Sequence, residues 1–389
     1  MIAVASLFSQ LLDLFSRREF EAAVRATHAD RYAKKFRCWD QFVGMLFCQM
    51  AQAHSLREIC GGLACCLGKL RHLGVTTAPN KSTLAYANEH RPWQLYQAVF
   101  EQLLPKCQVL AKGRRKFRFK NKLYSLDSTV VDLCLSMFDW ARFRRTKGAI
   151  KLHLLLDHEG YLPTFGLVTE GKVHDVKVAQ TLQFPAGSVV VMDRGYVDYE
   201  LFGRWTKEGV WFVTRLKDNA AYRVIERREV RKEQGVSCDQ VIELTGPAAL
   251  SKCPYRLRRI RYRDAETGQT LVFVTNQMNF AAATIARIYK DRWQIELFFK
   301  ALKQNLRVKT FVGTSANAVR VQIWTALIAA LLLKYLQFKA TLGWSLSNLV
   351  ALLRWNLFTY RDLWTWLNNP YETPPLGCPA EQLALGLAS

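Results

Sequence analysis

The sequence predicts an α+β chain in which a mixed β-sheet with flanking helices lies between two helical regions. Three observations predict it. The stretches before about residue 110 and after Asn317 carry apolar residues at helical spacing, without strand alternation. From Lys122 the character changes to β-branched and apolar runs of strand length, bounded by turn residues. Between Arg215 and Asn276, alternating Arg-rich stretches suggest a basic, β-rich insertion.

In chain order, Ser6–Phe15, Trp39–Ala53, Ser55–Leu70 and Trp93–Leu104 read as helices. Gly74–Ser82 is a turn-rich break ending in an N-cap at Asn80 or Ser82. A helix, a turn and a second capped helix fit helix-turn-helix DNA reading, and they fit an ordinary helical domain too. Lys112–Lys122 (KGRRKFRFKNK) interleaves cations with two phenylalanines. It reads as a linker or a groove wall against a phosphate backbone, with a solvated charge run as the alternative.

Leu123–Leu133, Ile150–Asp157 and Tyr161–Val168 predict three antiparallel strands, the last two joined by the turn His158–Glu159–Gly160. Val173–Thr181 is a short helical or loop segment. Ser188–Asp193 predicts a strand, Val197–Glu208 a helix and Val210–Thr214 a strand. Three hairpin strands followed by strand, helix and strand is the order of a ribonuclease-H-like fold. Tyr222–Val230, Tyr255–Tyr262 and Leu271–Thr275 are strand candidates in the insertion, and Ala281–Lys303 returns to helix. Ala318–Phe338 and Leu346–Leu357 are the clearest later helices, and Pro370, Pro374, Pro375 and Pro379 mark a loose tail. The expected division is a helical domain over 1–118, suited to DNA binding by its helix, turn and capped helix, and the first part of the core over 119–214. The basic insertion covers 215–278, the last helix of the core 279–312, and a C-terminal helical region suited to dimerisation 313–389.

With 389 residues, the chain carries a formal net charge of +23. Such a charge calls for a polyanionic partner, nucleic acid or an anionic membrane. The longest apolar run, Ile323–Leu333, is about half of the roughly 20 residues a membrane span needs, so a buried core helix is expected and no membrane partner. The N-terminal stretch has no basic n-region or small-residue cleavage site, so no signal peptide is expected. Ten cysteines stand at irregular spacings without a C-x2-C pair. That argues against zinc and for reduced, mostly buried thiols.

The stretch with the most chemistry is Tyr289–Lys303, YKDRWQIELFFKALK. On a helical wheel with Tyr289 at zero, Arg292, Glu296 and Lys303 fall at roughly 300°, 340° and 320°. They share one edge beside an apolar stripe of Ile288, Ile295, Phe298, Phe299, Leu302 and Leu306. A carboxylate between two cations at the border of a buried stripe suggests a site, though solvated ion pairs give the same pattern. Asp127 inside the first strand and Asp193 at the end of the fourth are two further acids, and Asp132, Asp157 and Asp175 compete with them. A ribonuclease-H-like order would gather Asp127, Asp193 and Glu296 at one sheet edge. Carboxylates gathered there repel one another unless cations neutralise them. Oxygen ligands suit two hard divalent cations, Mg²⁺ with Mn²⁺ as substitute. His174 and Lys151 lie near this region in sequence, His174 as a possible partner of a carboxylate or phosphate and Lys151 as a solvated strand residue.

The spacing Tyr-x2-Arg-x3-Glu-x6-Lys, with YSLDST around Asp127 and VMDRGY around Asp193, resembles the IS-four family of bacterial insertion-sequence DDE transposases. The resemblance covers about Lys122 to Leu306 and selects Asp127, Asp193 and Glu296 as catalytic metal ligands. It implies that Tyr289 and Arg292 hold a phosphate near the cleavage site and that Lys303 contacts end DNA. Arg114, Arg115 and Lys116 are further expected DNA contacts. It also implies an enzyme that binds the terminal inverted repeats and works as a homodimer on double-stranded DNA. Such an enzyme cuts the ends and joins the 3′-hydroxyls to target DNA in the bacterial cytoplasm, at the nucleoid. A ribonuclease-H-like nuclease or resolvase without strand transfer is the alternative, as is an inactive DNA-binding derivative. Relatives that cleave through a hairpin stack a flipped base on a tryptophan in the insertion. Arg215–Asn276 has no Trp, and Tyr222, Tyr255 or Tyr262 would have to serve.

Overall fold

The computed structural model describes residues 5–374 except 32, 34, 67, 145, 146, 231 and 309. Pro375 and Pro379 of the expected tail lie outside the described residues. The chain divides into two units, a helical one of Met1–Leu110 with Ala301–Ser389 and a central one of Ala111–Lys300.

In the helical unit, α1 (Leu7–Leu12), α2 (Arg17–Ala26), α3 (Cys38–Ala51), α4 (Leu56–Ala64), α5 (Lys81–His90) and α6 (Gln94–Ala111) precede the sheet. Asn80 is the N-cap of α5, as the turn residues suggest, although its side chain makes no cap hydrogen bond. In the central unit come α7 (Asp175–Thr181), α8 (Tyr199–Lys207), α9 (Pro247–Lys252) and α10 (Ala282–Asp291). The division between the units falls within α11 (Trp293–Asn305), and α12 (Ala316–Lys339), α13 (Leu346–Asn356) and α14 (Leu363–Asn368) follow. The apolar run 323–333 is the middle of a 24-residue helix, longer than its own length suggests. By length and hydropathy α12 passes as a membrane span, yet 83% of its most apolar window is buried inside the protein. It packs on α3, α5 and α13, so the N-terminal and C-terminal helices share one core. Side-chain amides tie the pieces: Gln322 Nε2 donates to the carbonyls of Arg307 and Thr310, and Asn317 Nδ2 to those of Asn88 and Arg91.

The central unit is built on one sheet. Its strands are β1 (Leu123–Leu133), β2 (Arg142–Arg144), β3 (Lys147–Asp157), β4 (Leu162–Glu170), β5 (Val189–Met192) and β6 (Trp211–Arg215). They continue with β7 (Tyr222–Arg227), β8 (Val236–Leu244), β9 (Leu257–Arg263) and β10 (Thr270–Thr275). Their order is β2-β3-β1-β5-β6-β10-β9-β8-β7, with β4 on β3. β1, β3 and β4 form the expected antiparallel meander, while β5 lies parallel to β1 and β6 parallel to β5. Every residue of β5, VVVM, is buried, as a strand covered on both faces requires. On one face Leu201, Phe202 and Trp205 of α8 join Val190, Met192 and Phe212. On the other, Ile285, Ala286 and Ile288 of α10 join Val189, Val191 and Val213.

The structure adds one feature to the sequence reading and corrects another. The strands of the insertion join the core sheet: β10 pairs with β6, so β7–β10 extend it. Pairing there satisfies backbone groups that an open β6 edge would expose. The single helix expected over 281–303 is two, broken at Arg292, where the Arg292 and Ile295 amides bond carbonyls only three residues back. The break turns Trp293 outward, 55% exposed, while Asp291 is buried.

Candidate active site

Asp127 and Asp193 reach the site by register. β1 and β5 run parallel, their last matched pair being Leu126 with Met192, so Asp127 is the next residue along β1 and Asp193 the first past the end of β5. Asp193 is exposed, its carboxylate accepts from the Arg194 amide, and Thr214 Oγ1 donates to its carbonyl at 3.1 Å. Asp127 is more enclosed, and burial pushes its carboxyl up to about 6. The Ser128 amide and Arg292 oppose that rise, while the charges of Asp193 and Glu296 add to it.

Arg292, at the helix break, joins the first strand to the late helix. Its Nη1 donates to Asp127 Oδ2 at 3.1 Å and its Nη2 to Glu296 Oε1 at 2.7 Å. The guanidinium stands 5.6 Å from the centre of the Tyr289 ring. Its Nε is buried and finds no hydrogen-bond partner among the described residues. Such a donor lacks an acceptor worth about 1–3 kcal/mol. Tyr289 and Glu296 thus gather round the Arg292 guanidinium, which also holds Asp127. Lys303 lies seven residues beyond Glu296 on α11, past the division between the units.

Behind Arg292 is a polar cluster that the sequence reading missed. Asp291 has a fully buried side chain and accepts from Lys116 Nζ at 2.6 Å, His158 Nδ1 at 2.8 Å and the Tyr161 hydroxyl at 3.1 Å. The other His158 nitrogen meets Ser125 Oγ of β1 at 2.6 Å. Burial alone would raise the Asp291 carboxyl, but the hydrogen bonds from His158 and Lys116 bring it below the ordinary carboxylate range. The expected β3–β4 turn presents these groups, with Gly160 and Tyr161 both at positive φ. Beside them Glu159 accepts from Arg115, Lys122 and the Gly113 amide, which overcome the effect of burial and hold it at about 2. One signal was available. On the same wheel Asp291 falls at about 200°, inside the apolar stripe, where an acid needs a partner.

Other expected residues sort differently. Arg115 and Lys116 are held by Glu159 and Asp291, and so serve ion pairs within the protein. Arg114 is exposed, its carbonyl accepting from the Gly160 amide. Of the competing acids, Asp157 pairs with Lys122, Asp175 takes Ser128 and Lys151, and Asp132 is exposed. Lys151 is therefore a partner of Asp175 and not a solvated residue, and His174 is the N-cap position of α7 without a side-chain cap bond. Tyr222, Tyr255 and Tyr262 are all half-buried, Tyr222 beneath the Arg259 guanidinium.

Among the described residues no group of three His, Cys, Asp or Glu side chains lies close enough to hold a metal ion. The donors of this site are nevertheless carboxylate oxygens, the chemistry that suits a hard divalent cation. Two of them already surround one positive charge, that of Arg292.

Residues 118–332 match the family described as Transposase DDE domain, and residues 4–76 match a domain of unknown function, DUF4372. A putative transposase of Sinorhizobium fredii is 33% identical over 71% of this chain and 77% of its own length. A probable transposase for an insertion sequence element of Geobacillus stearothermophilus is 32% identical over 66% of this chain and 67% of its own. A putative transposase for insertion sequence element IS4SA of Synechocystis is 26% identical over 70% and 76%. The chain belongs to the DDE transposase family and is a DNA transposase of an insertion sequence. Membership implies dependence on a divalent metal.

Proposed function

We propose that Asp127, Asp193 and Glu296 are the catalytic carboxylates of a ribonuclease-H-like core that cuts the element's ends and joins their 3′-hydroxyls to target DNA. The observation that carries the reading is the Arg292 guanidinium bridging Asp127 and Glu296, with Asp193 next in register on the neighbouring parallel strand. The sheet order β4-β3-β1-β5-β6, with its antiparallel meander and two parallel additions, supports the fold assignment. Mg²⁺ ions held by the three carboxylates would activate water or a 3′-hydroxyl and neutralise charge on the leaving oxygen. The residues supply the rest. Arg292 supplies a guanidinium for a phosphate oxygen once the metal ions take over its two carboxylate partners, and Tyr289 flanks it. Lys303 extends the same helix as a point charge toward end DNA. Sequence-specific binding of the terminal repeats falls to the N-terminal helices, and two copies hold two ends in a homodimer at the bacterial nucleoid.

The test uses the full-length protein, DNA carrying candidate ends, pre-cut ends and Mg²⁺. Wild type should yield strand-transfer product from pre-cut ends. Asp127→Asn, Asp193→Asn and Glu296→Gln should each lose cleavage by at least about a thousandfold, since removal of one negative ligand weakens a shared metal site, while end binding persists. Near-normal cutting by any one variant removes that residue from the site. Cleavage without joining would point to a nuclease or resolvase.

A further inference from the structure

We infer that the cleft between Phe117–Phe119 and the start of α10 is a seat for duplex DNA backbone, with Arg118 and Arg287 as its phosphate contacts. The inference rests on reading the central unit as the part that cuts DNA. The cleft measures about 510 Å³ and is lined by Lys116, Arg118, Arg287, Asn279 and the phenylalanines 117, 119 and 280. Its apolar wall is rigid. Phe117 stacks on Phe119 at 5.3 Å and Phe119 on Phe280 at 4.8 Å, and all three pack on the core beneath α10.

The cations of Lys112–Lys122 divide into two sets. Arg115, Lys116 and Lys122 are each held by a buried acid at 2.9 Å or less, which offsets their charge. Arg118 is exposed and has no ion-pair partner among the described residues. Arg287 is exposed too, and its one polar side-chain contact among the described residues is the neutral Thr284 hydroxyl at 3.2 Å. Two uncompensated guanidinia over a fixed aromatic wall, in a chain of net charge +23, form a site for a polyanion.

Charge selects the occupant. Two exposed guanidinia without an acid partner among the described residues, in a chain of net charge +23 that belongs to the DDE transposase family, suit the phosphates of a DNA backbone. Side contacts of this kind read backbone and not base, so they should act alike on all sequences.

The experiment measures binding of the full-length protein to a duplex of end sequence, a duplex of random sequence and a single strand, across a salt series. For Arg118→Ala/Arg287→Ala, the slope of log affinity against log salt should fall in magnitude by about two, and affinity at 0.1 M salt by roughly tenfold per cation, for both duplexes. Arg118→Lys/Arg287→Lys should restore most of the slope, because a point charge suffices for a phosphate. Arg115→Gln should lower the unfolding temperature and leave the slope alone. An unchanged slope in the double alanine variant overturns the proposal, as does a loss confined to the single strand, which would mean base stacking on the phenylalanines. If the double variant fails to fold, Arg118→Gln alone should still lower the slope by about one, and no change there overturns it equally. Wild-type binding without salt dependence would instead count against the DNA-cutting reading itself.

Discussion

Removing the Asp291 carboxylate should both unfold the central unit earlier and misplace Arg292. The side chain is wholly buried and accepts three hydrogen bonds, from Lys116, His158 and Tyr161. In Asp291→Ala the buried His158 ring becomes a donor without an acceptor, at about 2 kcal/mol, and the half-buried Tyr161 hydroxyl loses its partner at about 1 kcal/mol. Lys116 is 58% exposed and returns to water, so its share is small. The sum is about 3 kcal/mol, within the range for breaking a buried charged pair. For a unit of this size, about 2–4 °C per kcal/mol gives a fall in melting temperature of about 6–12 °C. Asp291→Asn keeps one acceptor oxygen and should lose about half as much. The functional consequence comes from the neighbouring position, since Arg292 bridges Asp127 and Glu296 only if the helix break holds its place. Single-turnover cleavage of saturating end DNA, measured well below the melting transition, should fall by at least about tenfold in Asp291→Asn. An Asp291→Ala protein that melts within about 2 °C of wild type would sink the stability argument. An Asp291→Asn protein that cleaves at the normal rate would show that the cluster does not position Arg292.

Two further outcomes are expected. Arg292→Ala should cut at least about a hundredfold more slowly at saturating DNA, and Arg292→Lys should recover only part, since a point charge cannot reproduce two directed contacts. A variant that loses several degrees of stability yet cleaves normally would mean that the guanidinium merely pairs the acids. Glu159 titrates at about 2 in the fold, below its ordinary 4.5. A depressed carboxylate stabilises the fold above its unfolded value and loses that contribution as pH falls through its folded value. Wild type should therefore lose stability between about pH 5 and pH 2. Urea midpoints of Glu159→Gln should fall less over that window, and parallel pH curves for the two proteins would rule Glu159 out as a contributor.

What the sequence made legible follows from how far apart the interacting residues are. Period and length alone located the strand runs 123–133, 150–157 and 188–193, because each is fixed by its own apolar pattern. Asp127 and Asp193 stood out because acids break such patterns, and the Tyr289–Lys303 spacing is local. The helix break at Arg292 was not legible, since its residues are ordinary helix formers. The break coincides with contacts from Lys116 and His158, 175 and 133 residues away in the chain. The place of the insertion was hidden for a related reason. Alternation tells which face of a strand is buried but not which neighbour satisfies its edge, so nothing in β10 announces β6 as its partner. The cations of Lys112–Lys122 show the same limit most clearly. Arg115 and Arg118 are identical in a composition, yet Glu159 neutralises one and leaves the other facing an open cleft. A basic run therefore predicts a polyanionic partner for the chain as a whole. Which of its cations meets that partner depends on which buried acids have already claimed the rest.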